Sequence, residues 1–309
     1  MCYNILIALY HAFYADGAYQ YTEQRCVMRA DGKRVVSEDP IYEVICHIMP
    51  KRSDASNMIE VNIPLEPMNQ YVRKKKAEGI HITHLSLVIA AYLRATAHFP
   101  FINRFVMNKR LYARREFAVS MVVLKSDSDE GTINKLYFRY EDTIFDVQNK
   151  VESYITTNRA AGPTNKTDKT ARTLLRIPGL LRFGVSFFRF LDKHNLLPYS
   201  VIKASPFHCS LLITNLASIR TNHIFHHCYD FGTTSVAAAL GIPREIPTNG
   251  LDGIQFNRCL PIGIVMDERI CSGSYYARFF RLFRHYISHP HEMETPLEDP
   301  IYETEFRQG

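Results

Sequence analysis

The chain is expected to fold as an α/β protein, and three features of the sequence say so. Thr83 opens the clearest helix, THLSLVIAAYLRATAHF, with Leu85, Val88, Ile89 and Tyr92 at core-facing spacing and Pro100 to stop it. The stretch MIEVNIPL alternates apolar and polar residues with the period of a strand. The length, 309 residues, is compatible with one large α/β domain.

The other elements follow in order. The apolar start MCYNILIALYHAFYADGA reads as an extra helix or an extended lead; it lacks the basic residues of an export signal, so export is the minor reading. Ile41–Met49 is read as a strand, followed by a basic turn at Pro50-Lys51-Arg52 and then MIEVNIPL. Pro67–Glu78 reads as a helix ending at Gly79, its run Arg73-Lys74-Lys75-Lys76 most simply a solvated face. After the Thr83 helix come strands in RFVMNKRLYA and REFAVSMVVLK, a turn at Asp127–Gly131, the strand KLYFRY, a second amphipathic helix over Thr143–Asn158 and the polar loop AAGPTNKTDKT. Residues 171–203 are apolar with spaced Arg, Lys and His. They are read first as a core helix pair broken at Pro178-Gly179, and otherwise as a lid over an acceptor pocket or a membrane-surface helix. Residues 205–287 alternate strands with loops and finish in the helix YYARFFRLFRHYI. EDPIYE occurs twice, at Glu38–Glu43 and Glu298–Glu303, and six matching residues do not make a structural repeat. Coincidence is the first reading and a shared docking peptide the second.

Composition narrows the function classes. Hydrophobic residues at 46% and charged residues at 22% suit a soluble globular protein. No run of 18 apolar residues occurs, so no spanning helix is expected. The formal charge of +6 fits a mildly basic surface or a site for an anionic ligand such as the phosphates of a nucleotide cofactor. No nucleic-acid motif is present, and no nucleic-acid partner is expected. Seven cysteines at irregular spacing, without CxxC, read as the reduced set of a cytoplasmic protein rather than a disulfide frame or zinc site.

Four segments carry a resemblance: MPKRSDASNMIEVNIPLEPMNQYVRKKKAEG, ITHLSLVIAAYLRATAHFPFINRFVMNKRLYARREFAVSMVV, SLLITNLAS at Ser210–Ser218, and DERICSGSYYARFFRLF at Asp267–Phe283. In that order, over roughly residues 40–287, they resemble the CoA-dependent acyltransferases typified by chloramphenicol acetyltransferase and the catalytic domains of 2-oxo acid dehydrogenase acyltransferases. The resemblance implies a two-layer α/β sandwich, a mixed β-sheet covered by helices, in a homotrimer whose sites lie between subunits. It also implies acyl transfer from an acyl-CoA to a hydroxyl or amine of a small acceptor, which residues 171–203 suggest is apolar. Acyl-CoA is then a co-substrate, with no tightly bound cofactor and no metal. A histidine in an HxxxDG turn takes the acceptor's proton, a nearby hydroxyl stabilises the oxyanion, and the aspartate holds the turn. No lipoyl-lysine module precedes residue 40, so a free CoA thioester rather than a lipoyl arm is the expected donor. The division expected is an appendage over 1–28, an acyltransferase-like domain over 29–289 and an acidic mobile tail over 290–309.

At the critical turn the chain departs from that pattern. With Gly273 on the motif glycine, Glu268 stands at the histidine position and Ser272 at the aspartate position, while Arg269 fits. A carboxylate acts as a general base only when burial or like charge raises its pKa. A catalytically silent trimeric scaffold or ligand-binding protein is therefore the alternative to an enzyme. The loop FHHCYDFG offers replacement bases, His227 first and His226 second, whose ordinary pKa of about 6.5 suits the role. A pair that caps strands or faces solvent is the bland reading. His226, His227 and Cys228, being adjacent, make a poor metal set. Thr214 is the candidate oxyanion hydroxyl, with Ser210 as fallback and plain strand propensity as the competing explanation. Asn215, Ser210, Tyr229 and Ser272 are assigned to substrate binding, and Lys74, Lys75, Arg114 and Arg115 to CoA phosphates. Cys271 is read as packing rather than as a nucleophile.

Overall fold

The computed structural model describes residues 29–37, 39–124, 131–160, 179–250 and 253–303. The expected N-terminal helix, the turn before Gly131, the polar loop and Pro178 lie outside the described residues.

The fold is a two-layer sandwich built on one mixed sheet. In chain order its strands are β2 (Ser56–Pro64), β5 (Phe117–Leu124), β6 (Gly131–Phe138), β7 (Leu211–Asn215), β8 (Val236–Leu240), β9 (Arg244–Gly250) and β10 (Gly253–Asp267). They lie in the order β2-β10-β8-β7-β5-β6, with β9 pairing the first half of β10. The pairs β5–β7 and β7–β8 are parallel and the others antiparallel. A small antiparallel sheet, β1 (Gly32–Arg34), β4 (Arg110–Arg114) and β3 (Arg104–Met107), stands beside it.

Strand alternation decides which residues meet the helices. Leu211 and Ile213 on β7, Val236 and Ala238 on β8, and Ile262, Ile264 and Met266 on β10 join the main core. That core is completed by α2 (Leu65–Ala77), α3 (His84–His98), α4 (Ile144–Ala160) and α7 (Gly273–Ser288). Their alternates Leu212, Ala237 and Val265 join Ala118, Cys209 and Cys228 in a smaller cluster on the opposite face.

The Thr83 helix forms as expected, and the Thr83 hydroxyl accepts the Ser86 N–H as its N-cap. It is buried all round, Leu85 to Ala97, rather than along one stripe. Part of its cover is the segment expected to be a mobile tail, since residues 290–303 pack on the domain. Met293 is buried, the Ile301 N–H donates to Ala97 O, Arg94 donates to Thr295 O, and Arg104 pairs with Glu303.

Two element assignments need correction. Ile41–Met49 is a helix, α1 (Ile41–Ile48), and not a strand. Ile41, Val44, Ile45 and Ile48 repeat at helical spacing, and the Asp39 carboxylate accepts the Ile41 N–H at the start. The second correction concerns α5 (Leu180–Lys193), which is not a core helix. Phe183, Phe187, Phe188 and Phe190 are all exposed, and only the end of α5 and the following α6 (Tyr199–Ala204) reach the interior, through Asp192, Leu197 and Ile202. The two EDPIYE segments differ in structure as well. Residues 39–43 begin α1, whereas 298–302 have no helix or strand.

Candidate active site

The motif turn after β10 is built on buried charge. Asp267, 1% exposed, accepts Arg269 Nε at 2.8 Å and Nη2 at 2.6 Å, and Arg52 Nε stands 3.9 Å away. Arg269 also donates to Met49 O at 2.8 Å, and Arg52 to Val106 O at 2.9 Å and Tyr229 O at 3.2 Å. Two buried guanidiniums thus share one carboxylate and spend their other donors on carbonyls, which is how a low-dielectric site tolerates them. The turn is fixed to the segment between α1 and β2, where the Glu268 N–H donates to Ala55 O.

Glu268 projects half-buried from this frame, and Asn57 Nδ2 donates to its Oε2 at 2.7 Å. Ser272, at the aspartate position, is the N-cap of α7, where its hydroxyl accepts the Tyr275 N–H. Cys271 is buried, which pushes its thiol well up and suits the packing reading. Sequence reasoning missed Tyr42 on α1. Burial pushes its phenol up, the Ser272 hydroxyl opposes that, and the charges of Cys271, Asp39 and Glu268 add to it. It is thus a neighbour of the turn. Its place inside one EDPIYE copy was the available signal, since the other copy packs elsewhere.

The Thr214 hydroxyl and the histidine loop lie on the face opposite the main core. Thr214 pairs with Ala239, and Ala239 with Gly263, so one row across three strands carries a hydroxyl and two small residues. Over this region the 221–230 segment crosses the sheet at close quarters. A Cβ on Gly263 would lie 2.3 Å from Ile224 O, and one on Gly241 2.2 Å from His223 N. Glycine at both places lets backbone lie on backbone. Further on, Cys228 joins the face's small core, Tyr229 O accepts Arg52, and Asp230 accepts the Arg52 N–H. His226 and His227 stand between these anchors with ring centroids 5.1 Å apart, and His227 is 4.8 Å from the Tyr229 ring, edge-on. His226 Nδ1 bonds His227 O, whereas the exposed His227 ring has no hydrogen bond among the described residues.

Within one chain the turn and the histidine loop share Arg52, which bonds Tyr229 O and Asp230 beside Asp267, while Thr214 lies further along the sheet. Glu268, just past the end of β10, is five residues beyond Gly263, whose row carries Thr214, about 16 Å at strand rise. No hydrogen bond joins Glu268 to either histidine or to Thr214 among the described residues. Ser210 is buried and bonded to β5, donating to Glu116 O and accepting the Ala118 N–H, so it serves the sheet. Asn215 ends β7 and precedes a short 3-10 turn without a side-chain cap bond to it.

The four candidate phosphate contacts separate. Lys74 is exposed. Lys75 is buried with its ammonium between Glu78 and Glu294, and Arg114 is buried, donating twice to Thr233. Those two serve internal pairs, a correction that periodicity alone could not supply. Arg115 lines a cleft of about 320 Å³ with Arg139 and Lys150, at the end of the sheet that also carries Glu268. A surface trio, His285, His289 and Glu292, brings possible cation ligands within 4.8 Å of one another at the far end of α7.

One histidine with both ring nitrogens engaged lies elsewhere. His208 joins Asp192 at 3.1 Å and Ser205 at 2.8 Å, and Arg29 takes the other Asp192 oxygen at 2.5 Å. Burial alone would push Asp192 up, but His208 and Arg29 hold it below its ordinary value. This cluster fixes the C-terminal end of α5.

The architecture is that of the acyltransferase catalytic cores. The chain is similar to a dihydrolipoamide acetyltransferase of Azotobacter vinelandii (TM-score 0.54, 10% identity, covering 84% of this chain and 94% of that one). It is also similar to the cubic core of a pyruvate dehydrogenase multienzyme complex (0.53, 10% identity, 84% and 93%) and to a probable dihydrolipoamide acetyltransferase of Listeria monocytogenes 4b F2365 (0.53, 11% identity, 87% and 98%). At such identity the likeness concerns the fold. No protein-family model and no curated protein sequence matches the chain. The fold expected from the four motif segments is thereby found.

Proposed function

We propose that this chain is an acyltransferase using an acyl-CoA, with each site completed between copies of a homotrimer. The observation that carries the reading is the distance between the Glu268 turn and Thr214 within one chain. The Glu268 turn is locked at one end of the sheet, while Thr214 lies about 16 Å along it on the face that the histidine loop crosses. A second copy facing that surface supplies what one chain lacks. In the similar Azotobacter enzyme a serine, a histidine and an asparagine have been investigated for their role in the catalytic mechanism. Here a hydroxyl is kept at Thr214, and the imidazole moves from the turn to the loop.

His227 is the base: it takes the proton of the acceptor hydroxyl or amine as that atom attacks the thioester carbonyl. The Thr214 hydroxyl donates to the oxyanion. Collapse breaks the C–S bond, and the CoA thiolate leaves with the proton returned by His227. Glu268, held by Asn57, orients the imidazole or the acceptor. Asn215, Tyr229 and Ser272 border the acceptor, and Lys74 and Arg115 remain as phosphate contacts. The protein works in the cytoplasm on this reading.

A second reading, a silent ligand-binding trimer, is favoured by one observation: the base position in the turn is a carboxylate already bonded to Asn57. Acyl-CoA turnover over mixed hydroxyl and amine acceptors separates the two. His227→Ala is expected to lower turnover about 10²–10⁴-fold while leaving folding intact. If the His226 and His227 alanine variants keep full activity and Glu268→Gln abolishes it, Glu268 is the base. CoA binding without turnover leaves the silent reading standing.

A further inference from the structure

The unusual surface of this molecule is α5. Leu181, Phe183, Val185, Phe187, Phe188 and Phe190 are each at least 41% exposed, with Phe183 at 69% and Phe190 at 55%. Phe183, Phe187 and Phe190 recur at i, i+4 and i+7, so they form one ridge, and the Phe183 and Phe187 rings stack with an interplanar angle of 6°. Arg182, Ser186, Arg189 and Lys193 form the adjoining polar stripe. From residue 179 to 204 the only acidic side chain is Asp192, which is buried and paired with Arg29 and His208. Every exposed charge along α5 and α6 is therefore positive: Arg182, Arg189, Lys193 and Lys203.

That combination selects the occupant. A protein partner for such a ridge needs acidic groups opposite the cations and an apolar groove between them. An anionic bilayer offers both at once, phosphate-level negative charge above acyl chains. At 14 residues α5 is about 21 Å long, too short to cross a bilayer, and no helix among the described residues is long and apolar enough to do so. It has the right build to lie in the headgroup plane, phenylalanines down and arginines level with phosphate. The Asp192–Arg29–His208 cluster fixes one end of the helix to the domain, so its attitude is set before any surface is met.

We propose that α5 docks this protein on an anionic membrane surface. The proposal is independent of catalysis, because its readout is binding. The 309-residue chain is sedimented with vesicles of phosphatidylcholine alone and of phosphatidylcholine with about 30% phosphatidylglycerol, an anionic content that makes the surface potential negative without altering the acyl chains. The wild type is expected on the anionic vesicles, less at high salt and least on neutral ones. The triple change Phe183→Ser, Phe187→Ser, Phe190→Ser should cut binding about tenfold or more, and Arg182→Gln with Arg189→Gln should lower it on anionic vesicles only. Because all five side chains are exposed, circular dichroism and thermal melting should match the wild type. The proposal is overturned if the wild type stays in solution with both vesicles, if it binds neutral vesicles equally, or if the triple variant binds unchanged. It is equally overturned if the triple variant dissociates the protein's own assembly under light scattering, which would make the ridge a contact between copies.

Discussion

Asp267 shows how much of the candidate site is electrostatic scaffolding. Its two oxygens are bonded by Arg269 and approached by Arg52, in a region where none of the three is more than 4% exposed. Removing one partner strands the others without water. Arg269→Ala is therefore expected to destabilise the fold by about 3–5 kcal/mol in urea denaturation. Glu268→Gln, at a half-exposed position, should change stability by less than about 0.5 kcal/mol. Asp192 makes a related prediction with a pH sign. Its folded pKa lies below the ordinary 3.8, so the stability it contributes is present above that value and lost as pH falls through the lower folded one. Asp192→Asn should be less stable than the wild type at neutral pH. Its melting temperature should fall less steeply than the wild type's as pH drops below about 4.

At the scale of elements, two small features position the chemistry. The Thr83 cap begins a helix buried on every side, and Thr83→Ala should cost about 1 kcal/mol with little effect elsewhere. Gly263 bears more directly on the site. Its Cα hydrogen is all that separates β10 from Ile224 O, so Gly263→Ala must push the histidine loop outward. Limited proteolysis should then cut within residues 221–230 faster than in the wild type. Gly273→Ala, where an added Cβ meets nothing within 4 Å, is the control and should leave the loop protected. Unchanged cleavage in the Gly263 variant would mean that the crossing does not hold His226 and His227 in place.

For the whole molecule the decisive quantity is copy number. The ribbon of β9 and the first half of β10 runs out from the sheet with Ile254 at 70% and Phe256 at 66% exposure. Apolar area of that kind is usually covered in a functional assembly. Light scattering is expected to give three times the chain mass of 35.7 kDa. A strict monomer would remove the shared site and with it the proposed mechanism. Phe256→Asp should weaken the assembly without unfolding the domain, because the side chain touches solvent in the single chain.

Periodicity, caps and stops determined the long helix from Thr83, the strands β2 and β5 and the closing helix α7, because local spacing and backbone chemistry suffice for such elements. The order of the four motif segments was enough to imply the sandwich. Local pattern failed at Ile41–Ile48, where eight mostly apolar residues suit either period, and at 290–303, whose acidic composition hid three anchors: Met293, Ile301 N–H and Glu303. Whether Lys75 and Arg114 face a ligand or internal carbonyls and carboxylates is set by residues more than a hundred positions away, Glu294 and Thr233. The same holds for α5. Its apolar face reads as core in the sequence, since spacing tells which side of a helix is greasy but not what lies against it. Only the tertiary structure, by closing the main core with α2, α3, α4 and α7, left that face exposed.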